Sequence, residues 1–168
     1  MKNTGNDILN LKGISISEAI GFSFVEDYFL LPDSFAVLVS DSNSFHLRYP
    51  AVIVDGEYSG QLANSGEQIV VAALNDVLIN FEYSDDLPWS VLADGSGFSL
   101  VPKSEVFEFS EGEGAYWRNS SNIHGSPGND DSDLIVSYSG LWINELLPHT
   151  DLPQLDAVEF FNAEEDTI

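Results

Sequence analysis

Three histidines, 28 carboxylates and no cysteine are what this chain offers for chemistry. His46, His124 and His149 lie far apart, each in a polar stretch. A zinc or other transition-metal site needs two or three convergent nitrogen or sulfur ligands, and no spacing here supplies them, so they read as surface histidines. Without cysteine there is no disulfide, no thiolate nucleophile and no cysteine-based zinc site. A serine nucleophile would need a recognisable elbow beside a histidine base, and none is found. Glu105 and Glu108 are close in sequence, but glycoside hydrolysis needs two carboxylates set across a cleft at a defined separation, and many pairs in so acidic a chain lie as close. No catalytic or cofactor-binding residue is therefore assigned, no cofactor is expected, and the chain is expected not to be an enzyme. Hard oxygen ligands leave calcium open. Asp130, Asp131 and Asp133, or Asp85 and Asp86 with Asp94, could hold it. Neither set follows a defined calcium loop, so the metal stays unassigned and solvated loops are the simpler reading.

Other side chains carry two readings each. Trp89 and Trp117 could be platforms on which a ligand stacks, or could close the ends of a core with the indole nitrogen bonded to a loop carbonyl; the second is expected. Arg118 could take an anion, but among so many carboxylates it is expected to pair with one or to stack on a ring. Gly95, Gly97, Gly125 and Gly128 follow no strand-to-helix pattern, so they are expected in turns rather than in a phosphate loop.

The formal charge of −23 leaves only Lys2, Lys12, Arg48, Lys103 and Arg118 as cations. A phosphate backbone or an anionic membrane would be repelled. Nucleic acid is thus not expected as a partner, and the charge reads as solubility and protection against edge pairing. Divalent cations and a high-salt setting are the rival explanations. No run approaches the roughly 20 apolar residues of a membrane helix, so no membrane insertion is expected. Residues 1–5 carry no signal peptide, which suits either a cytosolic protein or a piece of a longer secreted chain.

The elements that would position these residues are strands. Helical periodicity is nearly absent, while short apolar runs alternate with turn signals, as in a sandwich or barrel. Residues 20–24 alternate with period two, and residues 35–39 form a continuous apolar run. The strongest hairpin spans residues 68–83 across Asn75-Asp76, with Val77, Ile79, Phe81 and Tyr83 on the inward face. Further strands are expected at residues 98–101, 106–109, 142–147 and 157–161. One short helix is expected after Ser40 or Asp41, with Phe45 and Tyr49 on one face and Pro50 closing it. Residues 125–133 read as an exposed connector.

In order and spacing, residues 56–69, 83–89, 93–100, 116–120 and 125–128 resemble the lamin-tail domain in its bacterial form. Within them stand Gly56-Glu57-Tyr58-Ser59-Gly60, Leu87-Pro88-Trp89, Ala93-Asp94-Gly95-Ser96-Gly97-Phe98, Tyr116-Trp117-Arg118-Asn119-Ser120 and Gly125-Ser126-Pro127-Gly128. The resemblance implies an all-β, immunoglobulin-like β-sandwich. That family usually opens on a strand pair similar to Ile143-Asn144-Glu145-Leu146-Leu147-Pro148 and Asp156-Ala157-Val158-Glu159-Phe160-Phe161-Asn162, which here come last. Its next segment resembles residues 3–14, which here come first, and Asn162 and Asn3 resemble one family position. The implied organisation is a circularly permuted single domain over residues 1–168. Its main body is 1–128, its connector 129–140, and its completing strands 141–168. A tandem array cut out of register is the alternative.

The function this implies is a non-enzymatic interaction or scaffolding module of a larger secreted or cell-surface protein, with a protein or glycan partner. A calcium-dependent carbohydrate-binding module or an accessory domain of an extracellular enzyme is the alternative. A monomer is favoured over a strand-exchanged dimer.

Overall fold

The computed structural model describes residues 1–74, 76–104, 112–131, 141–147 and 157–162. It divides into two compact units, Met1–Ser132 and Asp133–Ile168. Antiparallel strands dominate both, with one short α-helix and one 3₁₀ turn among the described residues, so the fold is all-β.

The first unit opens with β1 (Leu9–Asn10), β2 (Ile14–Glu18), β3 (Ile20–Ser23) and β4 (Phe29–Leu30). Then follow β5 (Leu38–Val39), the helix α1 (Ser42–Arg48), β6 (Gly56–Glu57) and β7 (Ser59–Gly60). The long hairpin is β8 (Gly66–Ala73) and β9 (Asp76–Ser84); β10 (Leu100–Pro102) and β11 (Trp117–Asn119) follow. The main sheet has the order β7-β3-β2-β8-β9, while β1 pairs with β4 and β10 with β11. The pair β5 and β6 is parallel.

Period-two alternation explains why this sheet has one apolar face. Phe22 lies opposite Ile16, Ile16 opposite Val71, and Val71 opposite Ile79, giving one row across four strands. Directly opposed residues share a face, and Ile16 and Val71 are buried. A second core cluster gathers Leu11, Phe24, Leu30 and Ala36, with Phe22, Tyr28 and Leu38 packed against it. Burying each large apolar side chain contributes about 1.5–3 kcal/mol. Asn3 is buried too, and its amide donates to the carbonyls of Asp7 (2.8 Å) and Leu30 (3.0 Å). It thereby satisfies backbone acceptors that burial would otherwise leave without a donor.

The expected hairpin forms, but two of its details differ. Ala73 pairs with Asp76, so Asp76 already belongs to the strand and Leu74 takes the left-handed turn position at φ 55°. The register then slips, because Val71 faces Ile79 while Ala72 faces Val77. Leu78 is the extra residue of a β-bulge, and a bulge interrupts the alternation. Ile79 and Phe81 are half-buried as expected, whereas Val77 is 61% exposed.

The helix lies where the sequence placed it. Asp41 caps it by accepting from the backbone N–H of Ser44 at 2.7 Å, and Phe45 and Tyr49 stack at 4.7 Å. The strand expected at 98–101 forms as Leu100–Pro102, and the one expected at 106–109 lies outside the described residues.

In the second unit, β12 (Leu141–Leu147) pairs antiparallel with β13 (Ala157–Asn162), with a register irregularity between Ile143 and Glu145. Ile143 faces Phe160, and both are exposed, as is Val158. On the opposite side Glu145 faces Glu159, a like-charge pair that disfavours burial of that face.

Candidate binding cleft

The apolar face of the main sheet continues past Val71 and Ile79 to Ile69 and Phe81, which pair with each other. Tyr83 lies two residues further along the same face. Over this end of the sheet sits the β10–β11 pair, carrying Trp117. Trp117 stacks on Phe81 at 5.4 Å between centroids and on Trp89 at 6.1 Å, with Tyr116 edge-on at 5.6 Å. The 3₁₀ turn Gly114–Tyr116 delivers these rings. Its Gly114 lies so close that a Cβ there would sit 2.6 Å from the backbone nitrogen of Trp89.

The result is a cleft of about 530 Å³ lined by both tryptophans, Phe81, Tyr83, Ile69, Phe98, Leu62 and Leu100. Its polar lining comes from Asp85, Asp94, Asn64, Ser84, Ser90 and Ser99, and among the described residues no lysine or arginine joins them. The Tyr83 hydroxyl donates to the carbonyl of Ala63 at 2.7 Å, tying the loop before β8 to the cleft wall. Burial raises the Tyr83 phenol above its ordinary value, and the nearby Glu67 carboxylate adds to this.

Trp89 is buried, Trp117 is half-buried, and the two rings stack on each other. Among the described residues the bond expected from the Trp89 indole to a loop carbonyl is not found, and no buried side-chain nitrogen or oxygen lacks a partner. Trp89 is 6% exposed yet lines the cleft. Gly95, Gly97, Gly125 and Gly128 all adopt positive φ, as turn glycines do.

Arg118 pairs with a carboxylate, as expected, and the partner is Asp131 at 2.6 Å. Asp131 also accepts from the backbone N–H and the hydroxyl of Ser121, and from the Ser126 hydroxyl. Burial pushes its carboxyl upward, but the Arg118 and Ser121 hydrogen bonds and the Arg118 charge outweigh this and hold it below the ordinary value. This corrects the reading of an exposed connector at 125–128 and 131; 129 and 130 are exposed as expected, and 132 and 133 lie outside the described residues. The Asp131 side chain is 6% exposed, and Asp130 pairs with Lys2 at 2.9 Å. Residues 130 and 131 therefore belong to the folded first unit, because a buried carboxylate with several donors anchors whatever chain carries it.

That anchoring also occupies two of the three carboxylates proposed for calcium, the third, Asp133, lying outside the described residues. Asp85 and Asp94 line the cleft, and among the described residues no group of three or more His, Asp or Glu could hold a metal ion. His46 and His124 are exposed. His124 shares a hydrogen bond with the Arg48 guanidinium at 2.9 Å, and its carbonyl accepts from the Tyr49 hydroxyl. His149, Glu105 and Glu108 lie outside the described residues. A second concavity lies against α1, beside Phe45, Arg48, Tyr49 and Tyr58; it was not signalled in the sequence. The cleft itself was signalled only by its aromatic residues, since the strand register that gathers them is a tertiary property.

The chain matches no family model, no curated protein and no solved structure. No described helix is long and apolar enough to cross a membrane.

Proposed function

We propose that the chain is a non-enzymatic interaction module of a larger secreted or cell-surface protein, and that its working surface is the aromatic cleft of the first unit. The observation that carries this reading is the cleft itself. It is an apolar, ring-lined concavity with a few polar groups at its edge, built on a bulged but continuous sheet, and small concave sites of this composition are where proteins take ligands. A rigid sheet holds such a site at low entropic cost.

The lamin-tail resemblance supports an immunoglobulin-like sandwich, with the order of segments read as a permutation. The β12–β13 hairpin is apolar on its Ile143, Val158 and Phe160 side, and a two-stranded hairpin alone is marginal in water. That supports reading 141–168 as strands that fold as part of a sandwich. The calcium-dependent glycan reading has less in its favour. The cleft rings stack on one another, which leaves less ring face for a sugar.

The test is a titration of the full chain with peptide and oligosaccharide panels, followed by tryptophan fluorescence, with each ligand's mass checked afterwards. Saturable binding with the ligand recovered unchanged supports a binding module. Turnover of a ligand, or no binding in either panel, overturns it.

A further inference from the structure

We infer that the cleft takes a basic peptide segment, in which one large apolar side chain is flanked by lysine or arginine. The inference rests on the reading of the cleft as a binding site and names its partner. Three features of different kinds converge. The floor is apolar and aromatic, set by Ile69, Phe81 and Trp117, and suits a single buried side chain rather than a polar surface. Asp85 and Asp94 line the cleft, both exposed, and among the described residues no lysine or arginine lines it. Trp89, 6% exposed, lines the cleft, and its indole N–H is a hydrogen-bond donor in that wall. A peptide backbone carbonyl is an acceptor of the right strength for that donor.

Charge complementarity selects among occupants. A second copy of the chain carries the same −23 and is repelled, as is any acidic peptide. A neutral sugar gains nothing from the two carboxylates beyond hydrogen bonds. A cationic segment gains twice: the whole molecule's field speeds its encounter, and Asp85 and Asp94 pair with its flanking charges. The apolar anchor then supplies residence time, since buried anchors rather than rim charges set dissociation.

The experiment uses the full chain, labelled with ¹⁵N, and two peptides, Lys-Lys-Phe-Leu-Lys-Lys and its charge-reversed counterpart Glu-Glu-Phe-Leu-Glu-Glu. The basic peptide is expected to shift the indole N–H signal of Trp89 saturably. Its binding should weaken at least tenfold between low and high salt, and at least tenfold in the variant D85N/D94N. Both carboxylates are exposed, so the variant should melt with the wild type, and that is checked first. The acidic peptide should leave the spectrum unchanged. Equal affinity for both peptides, undiminished binding by D85N/D94N, or shifts confined to residues outside the cleft would each overturn the inference. If oligosaccharides move the Trp89 signal and the basic peptide does not, the inference fails while the module reading stands. If neither binds, both fail.

Discussion

At the scale of single residues, the Asp131 carboxylate accepts more hydrogen bonds than any other side chain whose bonds are described. It gathers donors from Arg118, Ser121 and Ser126 while almost fully buried. Asp131→Ala removes the buried charged acceptor that Arg118, Ser121 and Ser126 share, and should destabilise the protein by about 3 kcal/mol in urea unfolding. Asp130→Ala removes only an exposed partner of Lys2 and should cost less than about 1 kcal/mol. The pH dependence follows from the direction of the Asp131 shift. Its folded-state pKa is depressed, so its contribution is present above the unfolded carboxylate value, near 3.8. It is lost as pH falls through the lower folded value. Asp131→Asn should therefore flatten the stability profile below about pH 4. Tyr28 works on the alkaline side. Burial, then its hydrogen bond to Asp55 and the charge of that carboxylate, push its phenol up to about 12. Stability from this group is complete below its unfolded value, near 10, and is lost as pH rises toward 12. Tyr28→Phe should remove that loss, seen as a flatter denaturation midpoint across this window.

At the scale of elements, the hairpin turn is the informative place. Leu74 is 86% exposed and holds φ 55°, a conformation that penalises a residue with a Cβ. Leu74→Gly should stabilise the protein by about 0.5–1 kcal/mol, because glycine adopts that conformation without strain. Thermal melts of the pair of proteins check this. Gly66 gives the opposite case. It adopts φ 109°, and a Cβ there would lie 2.2 Å from the carbonyl oxygen of Tyr83. Gly66→Ala should cost about 2 kcal/mol or more and loosen the β8–β9 pairing beside the cleft. Hydrogen exchange of the amides of 79–84 would register it.

For the molecule as a whole, net charge governs how stability responds to the solvent. With −23 distributed over one small chain, self-repulsion opposes the folded state. Added sodium chloride should raise the melting temperature steeply at first and then level off as the Debye length falls below charge spacing. Calcium at matched ionic strength should raise the melting temperature no more than magnesium does. Removing 141–168 tests the proposed organisation. If those strands fold as part of one sandwich, the truncated chain loses its cooperative melt, and sedimentation of the intact chain separates a monomer from a strand-exchanged dimer. A truncated chain melting near the full-length temperature would favour two independent pieces.

By itself the sequence determined the all-β class, the capped helix after Asp41, the long hairpin and the pairing of Arg118 with a carboxylate. These follow from local rules: period-two alternation, the reach of a capping side chain, and the scarcity of cations among carboxylates. Only the tertiary structure decided where the hairpin turn falls, that Val77 faces solvent, and that Asp131 anchors the supposed connector. A bulge is set by competition between turn geometry and packing across strands, and that competition leaves no mark in the alternation pattern. The choice of Asp131 from 28 carboxylates is likewise invisible in order along the chain, since burial beside Arg118 arises only when distant segments meet. The cleft has the same origin. Its rings stand at residues 81, 83, 89, 98 and 117, and only strand register and the close approach at Gly114 bring them together.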